Sequence, residues 1–335
     1  MSVCTADPSA QLLSLPPELL LDIAECLGSN HDLNALLQSC RYLYNLLNSH
    51  LYQLDVKHHH SSALWWSVDK GRKDVAQRSL DAGADPNAVR MAISETEESA
   101  LYGACVSRSR AKRDWERYHR ILQVVKLLLE RGADANYVQK ESGYSPLKWS
   151  VIGMDVGVIQ VLLDHGASVC SRGDPQDSLA HILLGWPGRA VNMKLLELLL
   201  DHGLDPNARD GEGSTVIHLI SRRVEEEGEF EEEGMEEQGM EEEDEMVKVM
   251  ELFLRYGADI NAADYEFNAP LNIALSVPSS LSMDPQRTPN WQAAKLLLAK
   301  GADTSDIRQP SSGPVKDFFD QVSRETGRVF SFRTE

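Results

Sequence analysis

Apolar residues along most of the chain fall in dense clusters separated by polar stretches. Examples are Val124, Val125, Leu127 and Leu128; Leu195, Leu196, Leu198 and Leu199; Val249, Met250, Leu252 and Phe253; and Leu296, Leu297 and Leu298. This spacing predicts helices that are apolar around much of their circumference, so neighbouring elements must bury them. A glycine phrase closes each cluster. It reads LDAGADPN ending at Asn87, LERGADAN ending at Asn136, LDHGASVC ending at Cys170 and LDHGLDPN ending at Asn207. Two more copies are LRYGADIN ending at Asn261 and LAKGADTS ending at Ser305. The glycine predicts a helix end in the left-handed conformation, and the Asp and Asn after it suit a turn.

The glycines are spaced 49, 34, 37, 54 and 44 residues apart. A second anchor makes sense of that irregularity. Upstream of each glycine lies a helix-start phrase: S-A-L-W at Ser62, S-A-L-Y at Ser99, S-P-L-K at Ser145, S-L-A-H at Ser178, T-V-I-H at Thr215 and A-P-L-N at Ala269. Ser or Thr there predicts a cap, and Pro146 and Pro270 sit where a first helical turn tolerates proline. From each glycine to the third residue of the next phrase the distance is 18, 15, 14, 14 and 14. From that third residue to its own glycine it is 19, 31, 19, 23, 40 and 30. The minimal 19 and 14 together make 33, so the larger values are insertions, nearly all between the two helices of a repeat.

Six recurrences with a 33-residue unit resemble the ankyrin repeat, whose phrase is T-P-L-H-x-A. The likeness covers roughly Ser61 to Ser305 and implies an all-α solenoid of six helix-turn-helix repeats over 61–305. Insertions fall near 108–120, 224–246 and 278–290, and 306–335 supplies a C-terminal cap helix and tail, with Val315, Phe318, Phe319 and Val322 as its apolar face. The small residue expected after the second apolar position is Ser67, Ala104, Ser150 and Ala274, but Leu183 and Ile220 in repeats four and five. A shifted register or looser packing is expected there.

Residues 11–56 lack the repeat. Pro16 and Pro17 followed by Glu18 predict a helix start. Leu19, Leu20, Ile23 and Leu27 recur at helical spacing, and Gly28 ends the run. A second helix carries Leu33, Leu36 and Leu37, and a third carries Leu43, Leu46 and Leu47. Leu15-Pro16-x-Glu18-Leu19, Ile23, Leu27, Asp32-Leu33 and Cys40-Arg41-x-Leu43 resemble an F-box. That resemblance implies docking on the adaptor Skp1 of cullin-type ubiquitin ligases, with Leu15, Pro16, Leu19, Leu20, Ile23 and Leu27 as contacts. The other reading is a helical cap over the first repeat, which a solenoid needs.

Charge changes the picture in one place. Of the net −19, the stretch 225–245 holds 14 acidic residues and no basic one; the rest of the chain carries −5. So dense a run of like charge is expected to stay disordered. Nucleic-acid backbone binding, which needs clustered positive charge, is disfavoured. The insertion Arg108–Arg120 is basic and aromatic and could bind phosphate groups, but a solvated helical extension is the simpler expectation. Cysteines are scattered and five in number, without C-x-x-C spacing, which fits a cytoplasmic or nuclear protein better than a disulfide framework. No apolar run is long enough for a membrane span, and no Lys or Arg precedes Arg41, as a secretory signal would require.

No phosphate loop, H-E-x-x-H or G-x-S-x-G occurs, so no catalytic, metal or cofactor site is expected. His58, His59 and His60 read as a polar linker. His181 and His218 occupy the motif histidine position and read as structural. Trp65, Trp66 and Trp149 lie in first helices, in the core or the inner groove. The resemblance implies a non-catalytic scaffold that binds an unidentified target protein at hairpin tips and first helices. Asp85, Asn87, Asp134, Asn136, Asp205, Asn207 and Asp259 then line the target face. A scaffold or inhibitor with no ubiquitin role is the alternative.

Overall fold

The structure is a computed structural model that describes residues 12–27, 30–91, 96–110, 114–170, 178–185, 191–222, 236–275, 290–307 and 313–333. For 30–31, 109–110 and 236–244 it describes the backbone alone. The chain forms two compact units, residues 1–168 and 169–335.

The first unit opens with α1 (Pro17–Cys26), α2 (Asn30–Ser39) and α3 (Arg41–His58). Leu20, Ala24, Leu33, Leu37, Leu43 and Leu47 close a small core between them. Each buried leucine there contributes roughly 1.5–3 kcal/mol, little enough that further support matters. That support comes from α3, which runs past the module and packs on the first repeat. Asp55, buried near its end, accepts hydrogen bonds from the Ser62 hydroxyl and from the Ala63 N–H at 2.9 Å. It thereby caps the next helix. Arg78 of the first repeat donates to the Tyr44 hydroxyl at 3.1 Å. One helix thus completes the N-terminal module and covers the end of the stack.

Three helix pairs follow: α4 (Ser62–Lys70) with α5 (Lys73–Asp81), α6 (Ala100–Arg110) with α7 (Trp115–Glu130), and α8 (Pro146–Ile152) with α9 (Val156–Asp164). An all-α reading did not include the antiparallel hairpin β1 (Val89–Met91) and β2 (Glu97–Ser99), paired with Arg90 opposite Glu98. The connection between repeats one and two is longer than the others, and the extra residues let its two arms pair. The second unit holds α10 (Leu179–Leu184) with α11 (Met193–Asp201), α12 (Val216–Arg222) with α13 (Glu236–Arg255), and α14 (Pro270–Ala274) with α15 (Trp291–Lys300). Finally α16 (Pro314–Thr326) buries Phe319 and Val322, with Phe318 against Trp291 at 4.8 Å between ring centroids.

Local chemistry explains the helix limits. Ser145, Asp155, Asn192 and Asn290 each accept a first-turn N–H, at 3.1, 3.1, 3.1 and 2.9 Å. The six recurrent glycines all have φ between 81° and 99°. At Gly132, the neighbouring Ala133 N–H returns to the Leu128 carbonyl at 2.9 Å, so the helix closes on a left-handed residue that a Cβ would disfavour.

Three expectations need correction. Leu183 and Ile220 are both buried, and the histidines before them keep their bonds to the next hairpin. The larger side chains are absorbed into the core without a change of register. The acidic stretch is not wholly without structure, because α13 begins at Glu236 and takes in its C-terminal half; positions 223–235 lie outside the described residues. Lastly, Arg108 is not a solvated insertion residue. It is 2% exposed and paired with Asp155. The insertion lengthens α6 and α7, and 111–113 at its tip lie outside the described residues.

Candidate functional site

Two surfaces can engage partners. The first is the outer side of α1. Leu20 and Ala24 turn into the core, 1% and 0% exposed, whereas Leu19 is 46% exposed. Pro16 is exposed too, and Leu15, Ile23 and Leu27 are half-buried. A helix places residues four apart on one face, so Leu19 and Ile23 share a side. Leu13, Tyr42 and Tyr44 add exposed apolar surface on the same module. Of the six residues expected to contact an adaptor, Leu20 is buried in the module's own core, and Leu15 and Leu27 pack partly against it.

The other candidate surface is the set of hairpins within each unit. Asp85, Asn87, Asp134, Asn136, Asp205 and Asp259 are exposed and Asn207 half-buried, yet their polar atoms are largely engaged. Asp85, Asp134, Asp205 and Asp259 each accept the backbone N–H two residues on, at 2.8–2.9 Å. The asparagines reach across to the following repeat. Asn87 donates to the Gly132 carbonyl at 3.0 Å and accepts from the Asp134 N–H at 2.7 Å. Asn136 treats Gly166 and Ser168 likewise, and Asn207 treats Gly257 and Asp259 likewise. The recurrent Asp and Asn therefore hold the hairpins in register.

In the first unit the side chains behind the hairpins are aromatic and charged, with Trp65, Tyr102 and Lys148 buried. Arg90 lies 4.4 Å over the Trp65 ring and is tied to Asp69 and Glu98. Tyr102 packs against Tyr137 and Trp149 at 6.1 and 6.3 Å, and Lys148 sits 4.3 Å over Tyr144. Trp66 stands 48% exposed on the same first helix. Beneath lies a buried knot. Arg108 donates to both carboxylate oxygens of Asp155, stacks 3.5 Å over the Tyr118 ring and donates to the Tyr118 carbonyl at 2.6 Å. The Tyr118 hydroxyl donates to Asp155 at 2.9 Å. Burial, and then this carboxylate, push the Tyr118 phenol upward.

The second unit links its hairpins through imidazoles. His218 Nε2 donates to the Asn268 carbonyl at 3.1 Å, and Nδ1 accepts from the Thr215 N–H at 3.0 Å. His181 Nε2 makes the equivalent bond to Ser214 at 3.0 Å, while its Nδ1 is buried without a partner. Burial lowers both rings' pKa, against the carbonyl bonds, which raise it; at His218 the bond that Nδ1 accepts also needs the neutral ring. Cys105 is buried as well, and burial pushes its thiol up to about 12, far from a nucleophile. Among the described residues no group of His, Cys, Asp or Glu converges as a metal site, and no helix is long and apolar enough to cross a membrane.

Residues 12–54 match the family model described as F-box-like. A protein named for its ankyrin repeats, L371 of Acanthamoeba polyphaga mimivirus, is 23% identical over 127 residues, 32% of this chain. That match spans 17% of the relative's own length. Among solved structures, an ankyrin repeat domain from Acinetobacter baumannii AYE superposes with a TM-score of 0.51 at 18% identity, over 72% of this chain and 98% of that one. The human ASB11 ankyrin repeat domain aligns over 77% of this chain and 96% of its own at 18% identity, with a TM-score of 0.46 too low to carry weight. The fold and these likenesses define the class: an F-box-like module joined to ankyrin-type repeats. Neither part carries evidence of catalysis.

Proposed function

We propose that the chain is a substrate-receptor subunit of a Skp1-cullin-F-box ubiquitin ligase, in which the N-terminal module docks a Skp1-like adaptor and the repeat stack holds the target. The observation that supports this most is the exposed apolar side of α1, where Leu19 and its neighbours lie outside a core already closed by Leu20 and Ala24. A helix that only capped a solenoid would have no need of an outward leucine. The alternative, a scaffold whose N-terminal helices merely cap the stack, draws on the packing of α3 against the first repeat. The two roles divide between helices: α3 caps, and α1 remains available.

Co-expression with Skp1 tests the reading. The wild-type chain should co-purify with Skp1. Leu19→Asp with Ile23→Asp should abolish that association while the repeats keep their helical signal. Absence of association for the wild-type chain would sink the proposal.

A further inference from the structure

In the second unit, the hairpin of residues 264–268 carries two large apolar side chains in open solvent. Tyr265 is 67% exposed and Phe267 is 83% exposed. Phe267 also has φ of +64°. A bulky residue in that left-handed conformation is strained, and glycine or asparagine is the usual occupant. No burial offsets the strain here, since the ring lies in water. The hairpin is nonetheless rigid. Asp264, itself buried, accepts from the Glu266 N–H at 2.9 Å and the Asn268 N–H at 2.8 Å. Tyr265 donates its N–H to the Glu212 carbonyl at 3.1 Å. Its ring lies so close on Gly213 that an added Cβ there would sit 2.6 Å away. The neighbouring hairpin is thus shaped to seat this ring.

A strained and exposed phenylalanine on a backbone held this firmly has the properties of an interface anchor, because little backbone entropy remains to be lost on binding. The surroundings select the partner. Positions 204–214, 258–268 and 302–307 hold eight acidic side chains and one basic, Arg209. Arg209 is turned onto the carbonyls of Gly213 and Ala263, and Arg222 offsets Glu212 at 2.8 Å. The field around the two aromatic rings remains acidic.

We infer that Tyr265 and Phe267 anchor the target, and that the target presents a basic peptide segment with a large apolar residue between its Lys or Arg side chains. This rests on the reading of the stack as a target receptor. The apolar residue packs on the two rings, and the flanking cations face the carboxylates of the three hairpins.

The test is selection of random 12-residue peptides displayed on phage against the full chain. The enriched peptides are then synthesised and titrated by fluorescence anisotropy. They should carry Lys or Arg around an aromatic or aliphatic residue, and should bind more weakly as salt rises. Phe267→Gly should weaken binding by about tenfold or more, and Tyr265→Ala should act in the same direction. Glycine accepts positive φ without strain, so the Phe267→Gly midpoint of thermal unfolding should hold or rise. That separates lost contact from lost fold. Acidic or uncharged peptides, undiminished binding by Phe267→Gly, or no enrichment at all would each overturn the inference. If binding survives Phe267→Gly but falls with Trp66→Ala, the receptor reading stands and the anchor assignment fails. Skp1 association is scored separately.

Discussion

The two units build the same repeat with different chemistry at one position. The fourth residue of the helix-start phrase is Trp65, Tyr102 and Lys148 in the first unit, and His181, His218 and Asn272 in the second. In the second unit the imidazoles stitch each first helix to the next hairpin by hydrogen bonds. In the first, rings and cations stack instead, and the Arg108–Asp155 pair supplies the buried polar link between repeats two and three. The backbone geometry of an ankyrin-type repeat is therefore set by its apolar helices and left-handed glycines. The polar link between neighbours is interchangeable. What changes with it is the response to pH.

Breaking the buried pair is the largest expected effect. Arg108→Ala leaves the buried Asp155 carboxyl without its cation, with only the Tyr118 hydroxyl and the Val158 N–H as donors, at a cost of about 3–5 kcal/mol. Hydrogen exchange should show that loss in residues 1–168, with little change in 169–335. Replacing both members with apolar residues of similar size should recover most of it. Next comes His218→Ala, which leaves the Asn268 carbonyl with the Asp264 N–H alone and strands the Thr215 N–H, and should cost about 1–3 kcal/mol, confined to the second unit. If the loss spread equally over both units, the separation drawn here would be wrong.

Acid should act on the second unit selectively. In the unfolded chain each of His181 and His218 takes up a proton below about pH 6.5. In the fold, burial lowers both pKa values, and the bond that His218 Nδ1 accepts from the Thr215 N–H requires the neutral ring. The unfolded state therefore binds more protons below pH 6.5, and stability falls as the pH drops from there through the folded values. Exchange profiles at pH 7.5 and 5.5, corrected for intrinsic rates, should show the second unit loosening first. With His181→Leu and His218→Leu together, the differential acid response should disappear. The smallest effect is expected from Asn207→Ala, which removes two exposed inter-hairpin bonds and should cost about 1–2 kcal/mol in urea unfolding.

Much of this was legible in the sequence because it follows from spacing. The glycine phrase and helix-start phrase located every helix pair, and Leu19, Leu20 and Ile23 located α1. Other features depended on three-dimensional neighbours that spacing does not carry. Arg108 read as part of a basic insertion because its partner, Asp155, lies 47 positions away. The hairpin asparagines read as a binding row because their acceptors belong to the following repeat. Trp65 and Trp66 are adjacent, yet one is buried under Arg90 and the other exposed. Tyr265 and Phe267 did leave a signal: two aromatic residues in a turn where polar residues are the rule.

The central claim is that α1 presents a docking face distinct from the core that folds the module. Its most direct measurement is co-purification of Skp1 with the wild-type chain, with Leu19→Asp/Ile23→Asp and with Phe267→Gly, each checked for helical content and thermal midpoint. Association is expected for the wild type and for Phe267→Gly, and its loss for the α1 variant with the fold of the repeats retained. Association that survives the α1 substitutions, or that never occurs with the wild-type chain, would contradict it.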